Sequence, residues 1–139
     1  MGLILDSSAV VAWERSQTAG VSGGLDADEI YALPAIVWAE LLIGVRMAAN
    51  ARRAAQRLAR LEAIRRVTGI EPFTPEIAEH YADIFSELSE KGGLIPQNDI
   101  AVAATARALK FDVLVGPNDE AHFRRIANLK VLVFGEAKP

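Results

Sequence analysis

The sequence predicts a three-layer α/β/α domain built on a central, mainly parallel sheet, with a helical-hairpin insertion and a single unit spanning residues 1–139. Three observations lead there. Short apolar runs alternate with helical patterns, the order that yields parallel strands joined by helical crossovers. Hydrophobic residues make up 51% of the chain, enough for one substantial core. No repeat, low-complexity tract or linker divides the sequence.

Taken in order, "LIL" is a short apolar strand, and "SSAVVAWER" follows as a helix with Ser7 as a possible N-cap. The polar, glycine-containing "SQTAGVSGGLDADE" is a loop or a weak helix. "IYAL" is a second strand. Pro34 then suits the first turn of a helix running to about Ala48. "ARRAAQRLARLEAIRRV" is the next helix. Met47, Ala51, Ala54, Leu58 and Leu61 recur at spacings of four and three, the pattern of a packing seam. Arg46, Arg53, Arg57 and Arg60 follow a neighbouring stripe, which leaves them free for solvent or ligand.

"GIEPF" reads as an edge strand, and "TPEIAEHYADIFSELSEKGG" as an acidic amphipathic helix. Thr74 is its N-cap, Pro75 lies in its first turn, and Gly92-Gly93 ends it. "NDIAVAATARALKF" is an alanine-rich helix fit for close packing on a sheet. "VLVG" is a strand, "EAHFRRI" a short helix and "KVLVF" the last strand.

Composition narrows the chemistry. The absence of cysteine removes disulfides, thiolate zinc sites and cysteine nucleophiles. Two histidines, His80 and His122, are too few for an imidazole-rich metal site, so a metal here would be bound by oxygen, as Mg²⁺ or Mn²⁺ is. No apolar stretch is long enough to span a bilayer, and "MGLIL" is too short for a signal peptide, so the cytoplasm is the expected compartment. Net charge is −3, yet Leu41 to Arg66 holds seven arginines against one acid, Glu62. Such a dipolar chain suits a phosphate backbone on one side and cations on another.

Ligands of open parallel sheets bind outside the carboxyl ends of the strands. Asp6 ends the first strand, Asp119 follows "VLVG", Asp99 opens the alanine-rich helix, and Glu40 lies in the helix after the second strand. All four are expected near that edge. Ordinary roles exist for three of them: a cap for Asp6, a first-turn charge for Asp99, a turn for Asp119. Glu40 has neither cap nor turn to explain it and sits within the apolar "PAIVWAELLIGV". It needs a cation, either an arginine or a metal. Four neighbouring acids cannot all ionise without compensation, and a hard divalent ion is the simplest one. Beside an arginine stripe, the cluster suits phosphodiester hydrolysis without a histidine, serine or lysine base.

These segments resemble the PIN-domain ribonucleases, specifically the VapC type of toxin found in bacterial toxin–antitoxin pairs. The likeness covers the whole chain. "LILDSSAVVAW" is similar to the opening motif and makes Asp6 the first acid, with Ser8 its supporting hydroxyl. "WAELLIGV" resembles the second motif, through Glu40, and "NDIAVAATA" the third, through Asp99. "VLVGPNDEAHFRRIANLKVLV" resembles the ending, where counting back from Phe123 gives Asp119. Pro117 stands where the family commonly has Thr, so Asn118 or Glu120 could share or take the fourth role.

The resemblance implies a PIN fold and Mg²⁺- or Mn²⁺-dependent cleavage of RNA, often transfer or ribosomal RNA, with arrest of translation. Asp6 and Asp99 would be metal ligands, and Glu40 and Asp119 would reach the metal directly or through water. Arg46, Arg53, Arg57 and Arg60 are the candidate RNA contacts. A homodimer and a cognate VapB-type antitoxin are implied as partners, in an assembly that can be larger.

Other classes fit less well. A receiver domain needs adjacent acids after the first strand, where Ser7-Ser8 follows Asp6 here. A serine hydrolase needs Gly-x-Ser-x-Gly, which is missing. His122 is expected to pack or cap near Phe123, and Trp13 and Trp38 to serve in a core or interface. A non-catalytic binding module and an RNA-processing nuclease without a toxin role are the remaining alternatives.

Overall fold

A computed structural model describes residues 2–20 and 25–136. The elements are β1 (Gly2–Leu5), α1 (Ser7–Thr18), β2 (Ile30–Pro34), α2 (Ala35–Arg46), α3 (Ala51–Thr68), β3 (Ile70–Glu71), α4 (Pro75–Glu90), α5 (Gln97–Leu109), β4 (Asp112–Val115), α6 (Glu120–Arg124) and β5 (Val131–Val133). Five strands form one sheet in the order β3-β2-β1-β4-β5. All four pairings are parallel; Ile4 of β1 stands beside Ala32 of β2 and Val113 of β4.

The order reverses at β1. Chain connections run outward from β1 to β2 and β3, then return to β4 and β5 on the other side. With right-handed crossovers, the outward connections cover one face and the returning ones the other. The packing agrees: α1 meets α2 and α2 meets α3, while α4 meets α5 and α5 meets α6. The crevice between the ends of β1 and β4 is the switch point where α/β sheets bind ligands.

The strands are near-continuous apolar runs because both faces are covered. Ile4, Leu33, Val113 and Val115 are fully buried, as is Phe123 from α6. Ala103, Ala104 and Ala106 bring α5 close to β1 and β4, since a methyl group keeps the backbone near the sheet. Among the described residues no helix is long and apolar enough to cross a membrane.

Local signals act much as the sequence indicates. Thr74 Oγ1 accepts from Ile77 N at 3.2 Å and Pro75 starts α4. Gly92, at φ +67°, follows the end of α4, and the Gly93 amide returns to the Leu88 carbonyl at 3.0 Å. The expected edge strand is β3, beside β2.

Three details differ. The cap of α1 is Asp6, not Ser7, because the Asp6 carboxylate reaches the Ser8 amide. The polar segment after α1 begins as helix to Thr18, and its residues 21–24 lie outside the described residues. The α3 seam is shifted: Met47 is 78% exposed because α2 has already ended at Arg46, and Ala51 is exposed. Packing runs instead through Ala54, Leu58, Leu61 and Ile64. Trp13 and Trp38 pack, partly buried, against the core, and the Arg65 guanidinium lies over the Trp38 ring at 5.7 Å.

Candidate active site

Asp6 comes directly off β1, and its amide donates to the Leu114 carbonyl of β4 at 3.0 Å. That bond sets the residue between the two central strands. Its Oδ2 accepts from the Ser8 amide at 3.1 Å and from the Ser8 hydroxyl. Ser8 Oγ in turn accepts from the Gly116 amide, just past β4, at 2.9 Å. A Cβ on Gly116 would lie 2.6 Å from the Ser8 carbonyl oxygen, so this approach requires glycine for its closeness.

Asp99 lies in the first turn of α5, buried at 8% exposure, with its Oδ2 2.8 Å from His122 Nδ1. Asp119 precedes α6, placed by a bond from its amide to the Gly116 carbonyl at 3.3 Å. One carboxylate oxygen from each of Asp6, Asp99 and Asp119 lies within 4.8 Å of the other two. Glu40 approaches from α2, half-buried, beside the side chains of Asn98 and Ser7.

The electrostatics follow from this crowding. Burial pushes the Asp6 carboxyl up to about 6; the Ser8 hydroxyl opposes that, while the Asp99 and Asp119 charges add to it. Asp99 is also raised by burial, against the pull of His122 and with a push from Asp119. Glu40 is raised by burial first, opposed by Asn98 and Ser7 and reinforced by Asp99 and Asp119. Two oxygens here, Asp6 Oδ1 and Glu40 Oε1, are buried with no hydrogen-bond partner. Among the described residues neither Asp6, Glu40 nor Asp119 has a lysine or arginine ion pair. Carboxylate oxygens of Asp6, Asp99 and Asp119, brought together from three parts of the chain, form the donor set of a hard divalent cation. The residues present fit such an ion.

Of the fourth-position alternatives, Asp119 is the one within the carboxylate group. Glu120 is turned to Arg124, whose Nη2 donates to it at 2.9 Å, and Asn118 is exposed. The arginine stripe divides. Arg46 and Arg53 are exposed. Arg57 and Arg60 are not free as the stripe implied: Arg57 Nε and Arg60 Nη1 lie 3.6 and 3.8 Å from Oε2 of buried Glu14. Glu14, rather than Glu40, is the carboxylate that Arg57 and Arg60 meet.

His122, Glu14, Ser7 and Asn98 are the participants that sequence reasoning missed. His122 carried a usable signal, since it lies one helical turn after Asp119 and its amide bonds the Asp119 carbonyl at 3.2 Å. Asn98 adjoins Asp99. Nothing local marks Glu14, whose partners come from α3.

Residues 3–129 match the PIN domain family. A protein named Ribonuclease VapC from Rickettsia bellii is 33% identical over 132 residues, covering 95% of this chain and 96% of its own. The solved VapBC-5 toxin–antitoxin structure from Mycobacterium tuberculosis matches 95% of this chain and 96% of its own at TM-score 0.71 and 26% identity. VapBC2 from Rickettsia felis, solved with a DNA fragment from its promoter, matches 96% of this chain and 99% of its own at TM-score 0.78; at 24% identity it speaks for the fold. The chain belongs to the PIN-domain family, among its VapC-type members.

Proposed function

We propose that the chain is a VapC-type endoribonuclease toxin that uses Mg²⁺ or Mn²⁺ to hydrolyse RNA phosphodiester bonds. Its substrates are transfer or ribosomal RNA, and their cleavage stops translation. The observation that carries this reading is the meeting of the Asp6, Asp99 and Asp119 carboxylates, which have no lysine or arginine ion pair among the described residues. The ribonuclease names of its relatives support the activity, and the VapBC complexes among its structural neighbours support a VapB-type antitoxin as partner. A homodimer in the cytoplasm completes the proposal on the same likeness.

Asp6, Asp99 and Asp119 would hold the cation, with Glu40 reaching it directly or through water. When bound, the ion supplies Lewis acidity, which acidifies water for attack at phosphorus and offsets charge on the phosphoryl oxygens. The chain's own residues prepare the site. Ser8 occupies Asp6 Oδ2 and leaves Oδ1 without a partner; His122 holds Asp99 Oδ2 in place. Glu40 Oε1 is unpartnered, and burial raises its carboxyl, so it is suited to take the proton that an attacking water loses.

Purified chain incubated with transfer and ribosomal RNA tests the proposal. Cleavage at discrete positions is expected with Mg²⁺ or Mn²⁺ and none with EDTA. Attack by water leaves no 2′,3′-cyclic phosphate on the products. Undiminished cleavage in EDTA, or cyclic ends, contradicts the reading.

A further inference from the structure

A cavity of about 210 Å³ opens beside the carboxylate group, between α1, α2 and α3. Glu40 and Ser7 line one part of it, Glu14 and Arg57 another, and Gly44 lies between. Glu14 is 5% exposed, and its Oε2 has no hydrogen-bond partner. Arg57 and Arg60 close on that oxygen at ion-pair distance only. Burial raises the Glu14 carboxyl more than the two arginines lower it. A buried ion pair of this kind is weak evidence of a stabilising role, since an apolar side chain in its place would avoid the desolvation cost.

What Glu14 does is visible in Arg57. The guanidinium has two anchors. Nε faces Glu14, and Nη1 donates to the Gly44 carbonyl at 3.1 Å. Gly44 permits this approach, since a Cβ there would lie 3.1 Å from Nη1. No hydrogen bond engages Nη2 among the described residues, and the side chain is 41% exposed. One acid between two arginines leaves a net positive charge beside carboxylates that otherwise repel a nucleic-acid strand. A planar fork fixed at two corners, with an open donor, matches phosphate oxygens and loses little freedom on binding them.

We propose that Glu14 is a positioning residue that fixes Arg57 on the cavity wall next to Glu40, where Arg57 binds a phosphate of the RNA strand flanking the bond to be cut. The inference rests on the ribonuclease reading above and adds a phosphate subsite to it.

Binding of a fluorescent single-stranded RNA to the chain in EDTA, followed by anisotropy across NaCl concentrations, tests this apart from cleavage. Arg57→Ala should weaken binding and lower the salt slope by about 0.7, the contribution of one single-strand phosphate contact. Glu14→Gln is the deciding variant. It removes a negative charge, so charge alone predicts tighter RNA binding; loss of positioning predicts binding several-fold weaker. In the Arg57→Ala background, Glu14→Gln should no longer weaken binding, because Glu14 acts through Arg57. Mn²⁺ affinity should stay unchanged in all three.

If Glu14→Gln melts too low to assay, Arg57→Lys decides. It keeps the charge without the fork, so affinity should fall while the salt slope holds, and wild-type affinity would overturn the proposal. A wild-type chain that cleaves RNA, with Glu14→Gln binding RNA as tightly or tighter, overturns the positioning role alone. A wild-type chain that neither binds nor cleaves RNA overturns both readings.

Discussion

His122 Nδ1 lies 2.8 Å from Asp99 Oδ2, joining α6 to the first turn of α5 at the edge of the carboxylate group. The imidazole occupies one Asp99 oxygen and orients the other. Partners that orient metal ligands commonly account for 10–100-fold in affinity. His122→Ala is therefore expected to weaken Mn²⁺ binding about tenfold or more, read by calorimetry, while thermal stability changes little. Unchanged or tighter Mn²⁺ binding would show that the contact plays no part in orienting Asp99.

The carboxylates themselves separate into grades. Asp6→Asn, Glu40→Gln and Asp99→Asn should each abolish cleavage with the fold intact. Asp119 is less buried than Asp6 and Asp99, so Asp119→Asn should retain partial activity that raised Mg²⁺ or Mn²⁺ restores. Glu120→Gln should behave as wild type, because Glu120 is paired with Arg124 on its own helix. A metal titration of cleavage rate for these variants checks the order. A dead Glu120→Gln beside an active Asp119→Asn would move the fourth position one residue along.

Asp6 also sets a pH dependence. Its folded carboxyl is raised to about 6 from an ordinary 3.8. The folded chain thus holds the proton more tightly than the unfolded chain, so this contribution is full below about pH 4 and is lost as pH rises through about 6. The difference is worth about 3 kcal/mol. In EDTA, the stability of Asp6→Asn relative to wild type should rise by roughly that amount between pH 3.5 and 7. Denaturant melts across pH measure it, and a gap that stays constant would mean Asp6 ionises without cost.

At Gly116 the chain leaving β4 passes close against the Ser8 backbone in the first turn of α1. Gly116→Ala places a methyl against the Ser8 carbonyl and should cost about 1–3 kcal/mol. It should weaken Mn²⁺ binding too, by displacing the hydroxyl that holds Asp6 Oδ2. Full stability and affinity in this variant would show that the contact can relax freely.

Much of this arrangement is legible in the sequence, for a physical reason. Asp6 and Asp119 follow strands and Asp99 opens a helix, and in a parallel sheet those positions share one edge; Glu40, inside α2, stands out instead as the one acid of an apolar helix. Apolar runs such as "VLV" and cap signals such as Thr74-Pro75 act locally and survive folding unchanged. What escapes is pairing across the fold. Nothing in the sequence around Glu14 marks it until α3 brings Arg57 and Arg60 over it, and that same pairing removes two arginines from the free stripe. His122 reads as a helix residue until α5 places Asp99 against it. The α3 seam is misplaced because the end of α2, with no proline or glycine to mark it, comes before Met47.

Mn²⁺ binding measured by calorimetry, with RNA cleavage read at the same ion concentrations, tests the metal-dependent ribonuclease reading most directly. Wild type should bind Mn²⁺ and cut RNA over one shared concentration range. Asp99→Asn should lose both while keeping its circular dichroism spectrum and its fold. Cleavage that proceeds at the wild-type rate in EDTA, or in Asp99→Asn without bound metal, would contradict the account.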